Sequence, residues 1–142
     1  MLAQVKNLAV DDMFGRMEAE GFEDVREGHG CVFGFIDLEE GSRLTDLADR
    51  AGLTKQAVGE AVAELERKGY LERVPDPEDG RAKIIKLTQR GVDAALTGRR
   101  LFKEIEDEWA ERYGEERVTS LRECAEEIAA GYLFTGATAS PS

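Results

Sequence analysis

Apolar residues recur at every third or fourth position along most of this chain and alternate in only one stretch. Over residues 2–17, Leu2, Val5, Ala9, Met13 and Met17 fall on one face of a helix. The stretch EGFEDVREGHG breaks that period with glycines and charges and reads as a loop. CVFGFIDL follows as a short apolar run. Its pattern allows a strand or a buried helix, and its context favours the helix.

Two short helical patterns come next. In the first, Leu44, Leu47, Ala48 and Ala51 form the inner face, with Thr45 as a candidate cap and Gly52 as the stop. In the second, Thr54 is the cap, Ala57, Val58, Ala61, Val62 and Leu65 are the stripe, and Gly69 ends it. Joined by Gly52-Leu53-Thr54, they predict a helix-turn-helix. YLERV and AKIIKL then flank the loop PDPEDGR and predict a β-hairpin, to which Arg43-Leu44 can add a short third strand. Thr88 caps a long helix that starts at QRGVDAAL and continues through Leu101, Phe102, Ile105, Trp109 and Tyr113 to a break at Gly114. A last helix carries Val118, Leu121, Ala125, Ile128 and Tyr132 at helical spacing. The end of the chain, ATASPS, is small and polar and reads as a disordered tail.

Length bounds this picture: 142 residues make about one ordinary domain, which gains core by dimerising. A net charge of −11, taken whole, argues against nucleic acid. Its distribution reverses that. Residues 42–92 hold ten Lys/Arg against nine Asp/Glu, and the rest of the chain nine against 21, so the acid lies mostly outside the middle third. No apolar run of about 18 residues is present, and the N-terminus lacks the layout of a signal peptide, so a cytoplasmic protein is expected. Cys31 and Cys124 are far apart and His29 is the single histidine, so neither a metal site nor another cofactor is expected. No GxSxG, P-loop, HExxH or His/Cys pair points to an enzyme.

A helix-turn-helix followed at once by a hairpin, with helices on both sides, resembles the MarR family of transcriptional regulators. The likeness covers nearly the whole chain and is most specific in GLTKQAVGEAVAELERKGYLERVPDPEDGRAKIIKLTQRG. That stretch holds a recognition helix, the phrase LERKGYLER, a wing with Asp-x-Arg, and LTQRG opening the next helix. The resemblance implies a mainly α fold with a small β-hairpin wing, a winged helix-turn-helix flanked by N- and C-terminal dimerisation helices. It is read as a single domain over 1–142. Residues 1–38 supply N-terminal dimer and scaffold helices, 42–90 the DNA-binding region, 91–134 the C-terminal dimerisation helices, and 135–142 the tail.

The implied function is that of a homodimeric, sequence-specific regulator of transcription, a repressor released by a small-molecule ligand. Two-fold symmetry predicts a pseudo-palindromic operator with half-sites roughly 10 bp apart. In the family the wing arginine enters a minor groove, held by the aspartate two residues before it. By match these are Arg81 and Asp79, with Gly80 permitting the turn and Asp76 and Glu78 pointing to solvent. An Arg is drawn to the concentrated negative potential of a narrow minor groove, and a carboxylate that orders it beforehand reduces the entropy lost on binding. The recognition helix offers Thr54, Lys55, Gln56, Gly59 and Glu60 to the major groove. Gln can contact adenine, Lys guanine or phosphate, and Glu60 either cytosine N4 or solvent. Gly59 and Glu60 depart from the family, where hydroxyl or basic residues are common. Arg43, Lys83, Lys86 and Arg90 are candidates for phosphate contacts.

Many members of the family release DNA on binding a small aromatic anion between the winged helix and the dimer helices. Met13, Met17, His29, Phe33 and Phe102 are the candidates for that role here, against the plainer alternative of core packing. His29 can cap the second helix, bond a phenolate or be exposed. Cys31, near a helix start, is a candidate oxidant sensor. The rival to DNA binding is a winged-helix protein-interaction module, to which an acidic surface is suited.

Overall fold

The apolar stripes become helices, and glycines with positive φ set most of their ends. The computed structural model describes residues 1–134; the expected tail, 135–142, lies outside the described residues. The described residues cluster into two compact units, one over residues 1–101 and one from residue 102 onward.

The first unit opens with α1, Leu2–Ala19, in which Met13 and Met17 are buried while Leu2, Val5 and Leu8 stay exposed. A 3₁₀ turn at Glu27–His29 leads into α2, Gly30–Phe33, a single helical turn. CVFGFIDL is therefore helical only at its start, and Val32 and Ile36 bury its apolar side. Helices α3, Leu44–Ala51, and α4, Lys55–Arg67, follow. The hairpin is β1, Leu71–Pro75, paired antiparallel with β2, Lys83–Leu87, in the register Leu71 opposite Leu87 through Pro75 opposite Lys83.

The third strand is shorter than Arg43-Leu44 and begins earlier. Ser42 alone bridges to Ile85, with both N–H···O bonds at 2.9 Å. Arg43 is already the flanking residue of α3 and Leu44 its first residue. That placement moves Thr45 inside the helix, and α3 has no side-chain cap. Thr88 does cap α5, Gln89–Tyr113, by accepting from Gly91 N at 3.2 Å and donating to Gly69 O at 2.6 Å. The most fully buried side chains of this unit are Val32 of α2, Leu47 of α3, Val58, Val62 and Leu65 of α4, Tyr70 just before β1, and Ile85 of β2. Ala57, placed on the inner stripe by its period, is exposed, because it sits in the first turn of α4, on the outer edge.

In the second unit α5 reaches Tyr113, the chain reverses at Gly114 with φ +102°, and α6 runs Glu115–Phe134. Arg122 Nη2 meets Glu106 Oε2 at 2.5 Å, joining the two helices. Ile105 and Val118 are buried, whereas Leu121, Ile128 and Tyr132 are more than half exposed.

Candidate nucleic-acid interface

The turn between α3 and α4 is built by one glycine and one threonine. Gly52 adopts φ +67°, a left-handed value that only glycine reaches without strain. Leu53 N then donates back to Ala48 O at 3.0 Å and closes the end of α3. Thr54 is extended, and its Oγ1 accepts from Ala57 N at 3.1 Å, satisfying one of the free donors at the start of α4. Val58, Ala61, Val62 and Leu65 bury the inner face of α4, so Lys55, Gln56 and Glu60 are turned outward and exposed. No acid occupies its first turn, which leaves the positive end of the helix dipole beside Lys55. Gly59 is half-buried. A Cβ there would meet only Leu44 Cδ2, at 3.9 Å, so the space before it is open.

The wing differs from the sequence reading. Its tip folds on itself: Asp76 N donates to Ala82 O at 3.1 Å and Ala82 N to Asp79 O at 3.0 Å. Glu78 N donates to Asp76 Oδ1 at 2.8 Å, and Arg81 N to Asp79 Oδ1 at 3.1 Å. These are two Asx turns, short carboxylates satisfying their own loop's backbone. Asp79 thus holds the main chain of Arg81 and not its guanidinium, which has no ion pair among the described residues. Asp76 does not face solvent. It is 4% exposed, and its Oδ2 accepts from Nη2 of Arg43. The N–H of Glu78 and the guanidinium of Arg43 hold its carboxyl below the usual range against the opposing effect of burial. Glu78 is exposed, as expected. Gly80 has no positive φ and no neighbour within 4 Å of a Cβ, so the turn does not require glycine there.

Of the other basic candidates, Lys83 is exposed on β2 and Lys86 is half-buried opposite Glu72; neither has an ion pair among the described residues. Arg90 is exposed but engaged with protein groups. Its Nη2 lies 3.2 Å from Asp24 Oδ2 and 3.0 Å from the Tyr70 hydroxyl, and its guanidinium carbon sits 4.5 Å from the centre of the Tyr70 ring.

Among curated proteins none matches the sequence. Residues 25–82 match the model of the MarR family. Solved MarR-like structures share the fold. The S. aureus MepR–DNA complex superimposes with TM-score 0.71 at 20% identity, covering 92% of this chain and 94% of that one. CouR from Rhodococcus jostii bound to p-coumaroyl-CoA gives 0.70 at 22%, covering 90% and 88%. The PcaV transcriptional regulator from Streptomyces coelicolor, in complex with its natural ligand, gives 0.65 at 21%, covering 91% and 86%.

Within the winged-helix unit lies a polar cluster of which local sequence carried no sign. The Tyr70 hydroxyl donates to Asp24 Oδ1. Lys68 Nζ donates to Asp24 O and to Glu64 Oε1, both at 2.8 Å. His29, 2% exposed, accepts from Arg26 N at Nδ1 (3.0 Å), which leaves Nε2 as the donor towards Glu64 Oε2 at 3.3 Å. His29 therefore caps the turn before α2 and is neither exposed nor free. Lys68 and His29 together bring the Glu64 carboxyl down to about 2. Burial pushes Asp24 up, but the Tyr70 hydroxyl, its own backbone, Arg90 and Lys68 outweigh it, and the net shift is down.

The effector candidates separate in their surroundings. Met13, Met17 and His29 are buried; Phe33 is half-buried and stands edge-on to Tyr70, with ring centres 6.1 Å apart at 88°. Phe102 belongs to the second unit and is 38% exposed. Burial pushes the Cys31 thiol up, and its Sγ lies 3.3 Å from Gly28 O; an activated sensor thiolate has the opposite shift. Cys124 is exposed on α6. Among the described residues, no helix is long and apolar enough to cross a membrane.

Proposed function

We propose that this protein is a homodimeric, sequence-specific DNA-binding regulator of transcription, a repressor, acting in the cytoplasm and without catalytic activity. The observation that carries the reading is the outward set Lys55, Gln56 and Glu60 on α4, beside a stiffened wing whose Arg81 guanidinium is unengaged. Such a helix suits a major groove and such an arginine a minor groove. Thr54 serves as a cap, and its remaining lone pair and proton are free for a phosphate. The solved relative MepR, in complex with DNA, supports the same reading.

Dimerisation is supported by apolar surface that each unit leaves uncovered: Leu2, Val5 and Leu8 on α1, and Leu121, Ile128 and Tyr132 on α6. Large uncovered apolar stripes in a small domain call for a partner, and a second copy is the simplest. Two copies related by a two-fold axis would read a pseudo-palindromic operator. A small aromatic effector, as CouR's p-coumaroyl-CoA suggests, would release DNA by favouring a spacing of the two recognition helices that no longer fits the grooves.

The test is fluorescence anisotropy on DNA from upstream of the protein's own gene and on scrambled DNA, across a salt series, with Arg81→Ala alongside. Preferential binding that weakens steeply with salt, and weakens further in the variant, is the expected result. A folded dimer that binds neither DNA at low salt would refute the proposal and leave the protein-interaction module in its place.

A further inference from the structure

A polar latch lies at the root of the wing, apart from the groove-facing side chains. Asp76 is buried although it opens a loop of charged residues. Its Oδ1 takes the N–H of Glu78, its Oδ2 takes Nη2 of Arg43, and its own N–H donates to Ala82 O. Arg43 follows directly on Ser42, the residue that bridges to Ile85 in the middle of β2. The hairpin is thus joined to the start of α3 twice, by main-chain bonds at Ser42 and by an ion pair at Arg43.

A two-stranded ribbon by itself is marginal and twists readily. Two attachments on neighbouring residues, one to the middle of β2 and one at the end of β1, leave it little freedom to pivot against α3. We propose that Asp76 is the positioning residue of the wing: through Arg43 it fixes the angle of the hairpin to the helix-turn-helix, so that Arg81 meets the minor groove already aimed. The proposal rests on the DNA-binding reading above. Asp79 does not supply this aim, because it holds only the Arg81 main chain within the tip. A loop ordered before binding loses less entropy on binding, so the latch contributes to affinity without touching DNA. Arg43, with its side chain 45% exposed and one face on Asp76, acts in this arrangement as the latch's second half.

The experiment places Asp76→Asn and Arg43→Lys in the native protein and in Arg81→Ala, and measures DNA affinity for all. Both substitutions keep the side chain's size, and thermal melts confirm folding. Each should weaken binding about fivefold when Arg81 is present and add nothing when it is absent. Equal losses in both backgrounds, or no loss with Arg81 present, overturn the proposal. Hydrogen exchange of the DNA-free protein is the second arm. The amides of Ser42, Glu78 and Ile85 should exchange faster in Asp76→Asn, with those of α4 unchanged; unaltered protection at the wing also overturns it. Should the native protein bind no DNA, the functional reading falls and the aiming role with it, while the exchange arm still decides whether the latch holds the hairpin.

Discussion

Asp76 and Arg43, 33 residues apart in the chain, grip each other across the root of the wing. Their pairing accounts for an acidic tip on the surface proposed to meet DNA. Asp76 and Asp79 each accept from a backbone N–H of the loop, and Asp76 is also buried and neutralised by an arginine. Glu78 and Asp79 lie exposed, and Asp79 is held by its bond to the Arg81 N–H. The pairing also divides the basic residues into those engaged with protein and those free to meet phosphate.

Salt dependence should register that division. Lys55 and Lys83 are exposed and have no ion pair among the described residues. Replacing either by Ala should flatten the slope of log affinity against log salt by about 0.9 per protomer. Arg90→Ala should leave the slope unchanged, because its guanidinium is held by Asp24 and Tyr70. Anisotropy titrations at four salt concentrations measure both.

Gly59→Ala should make the protein more stable. A Cβ at this position makes one ordinary contact, with Leu44 Cδ2 at 3.9 Å, and the helix loses its glycine. The expected gain is about 0.5–1 kcal/mol in urea denaturation. A loss of stability would show that the space in front of Gly59 is not open to a methyl group.

Gly91→Ala should have the opposite sign although it too lies in a helix. A Cβ there would stand 2.1 Å from the Tyr70 carbonyl oxygen and 2.9 Å from Leu87 Cδ2. The obstacle is backbone, which cannot rotate away, so a loss of about 2–3 kcal/mol is expected. Comparing the two variants by the same denaturation separates local helix preference from tertiary fit.

Acid should unfold the protein through carboxylates held below their usual values. Glu64 is lowered from 4.5 to about 2, and Asp24, Asp37 and Asp76 are lowered as well. A depressed carboxylate contributes its stabilisation in full above the unfolded-state value and loses it as pH falls towards the folded-state value. The urea midpoint should therefore hold from pH 7 to about pH 5 and decline steadily towards pH 2. Glu64→Gln should start lower at pH 7 and show a shallower decline. An identical pH profile for the two proteins would mean that the His29–Glu64–Lys68 bonds do not stabilise the fold.

Much of this protein is determined by sequence alone, because helices, caps and tight turns depend on neighbours in the chain. The 3.6-residue period located α1, α3, α4, α5 and α6; Thr54 and Thr88 announced their caps; Gly52 and Gly114 announced their turns. The short, β-rich runs around PDPEDGR were enough for the hairpin. Tertiary structure decided which partner each charged residue takes. Nothing local distinguishes Asp76 from Asp79, or Arg43 and Arg90 from Lys55 and Lys83, since all are polar residues in polar surroundings. Asp76 is buried because Ser42 docks on β2 and carries Arg43 to it. Arg90 is engaged because Tyr70 and Asp24, 20 and 66 residues away, converge beside the start of α5. Ion pairs and buried polar bonds act through space and over a few ångströms, and the sequence gives no such distances until the chain is folded.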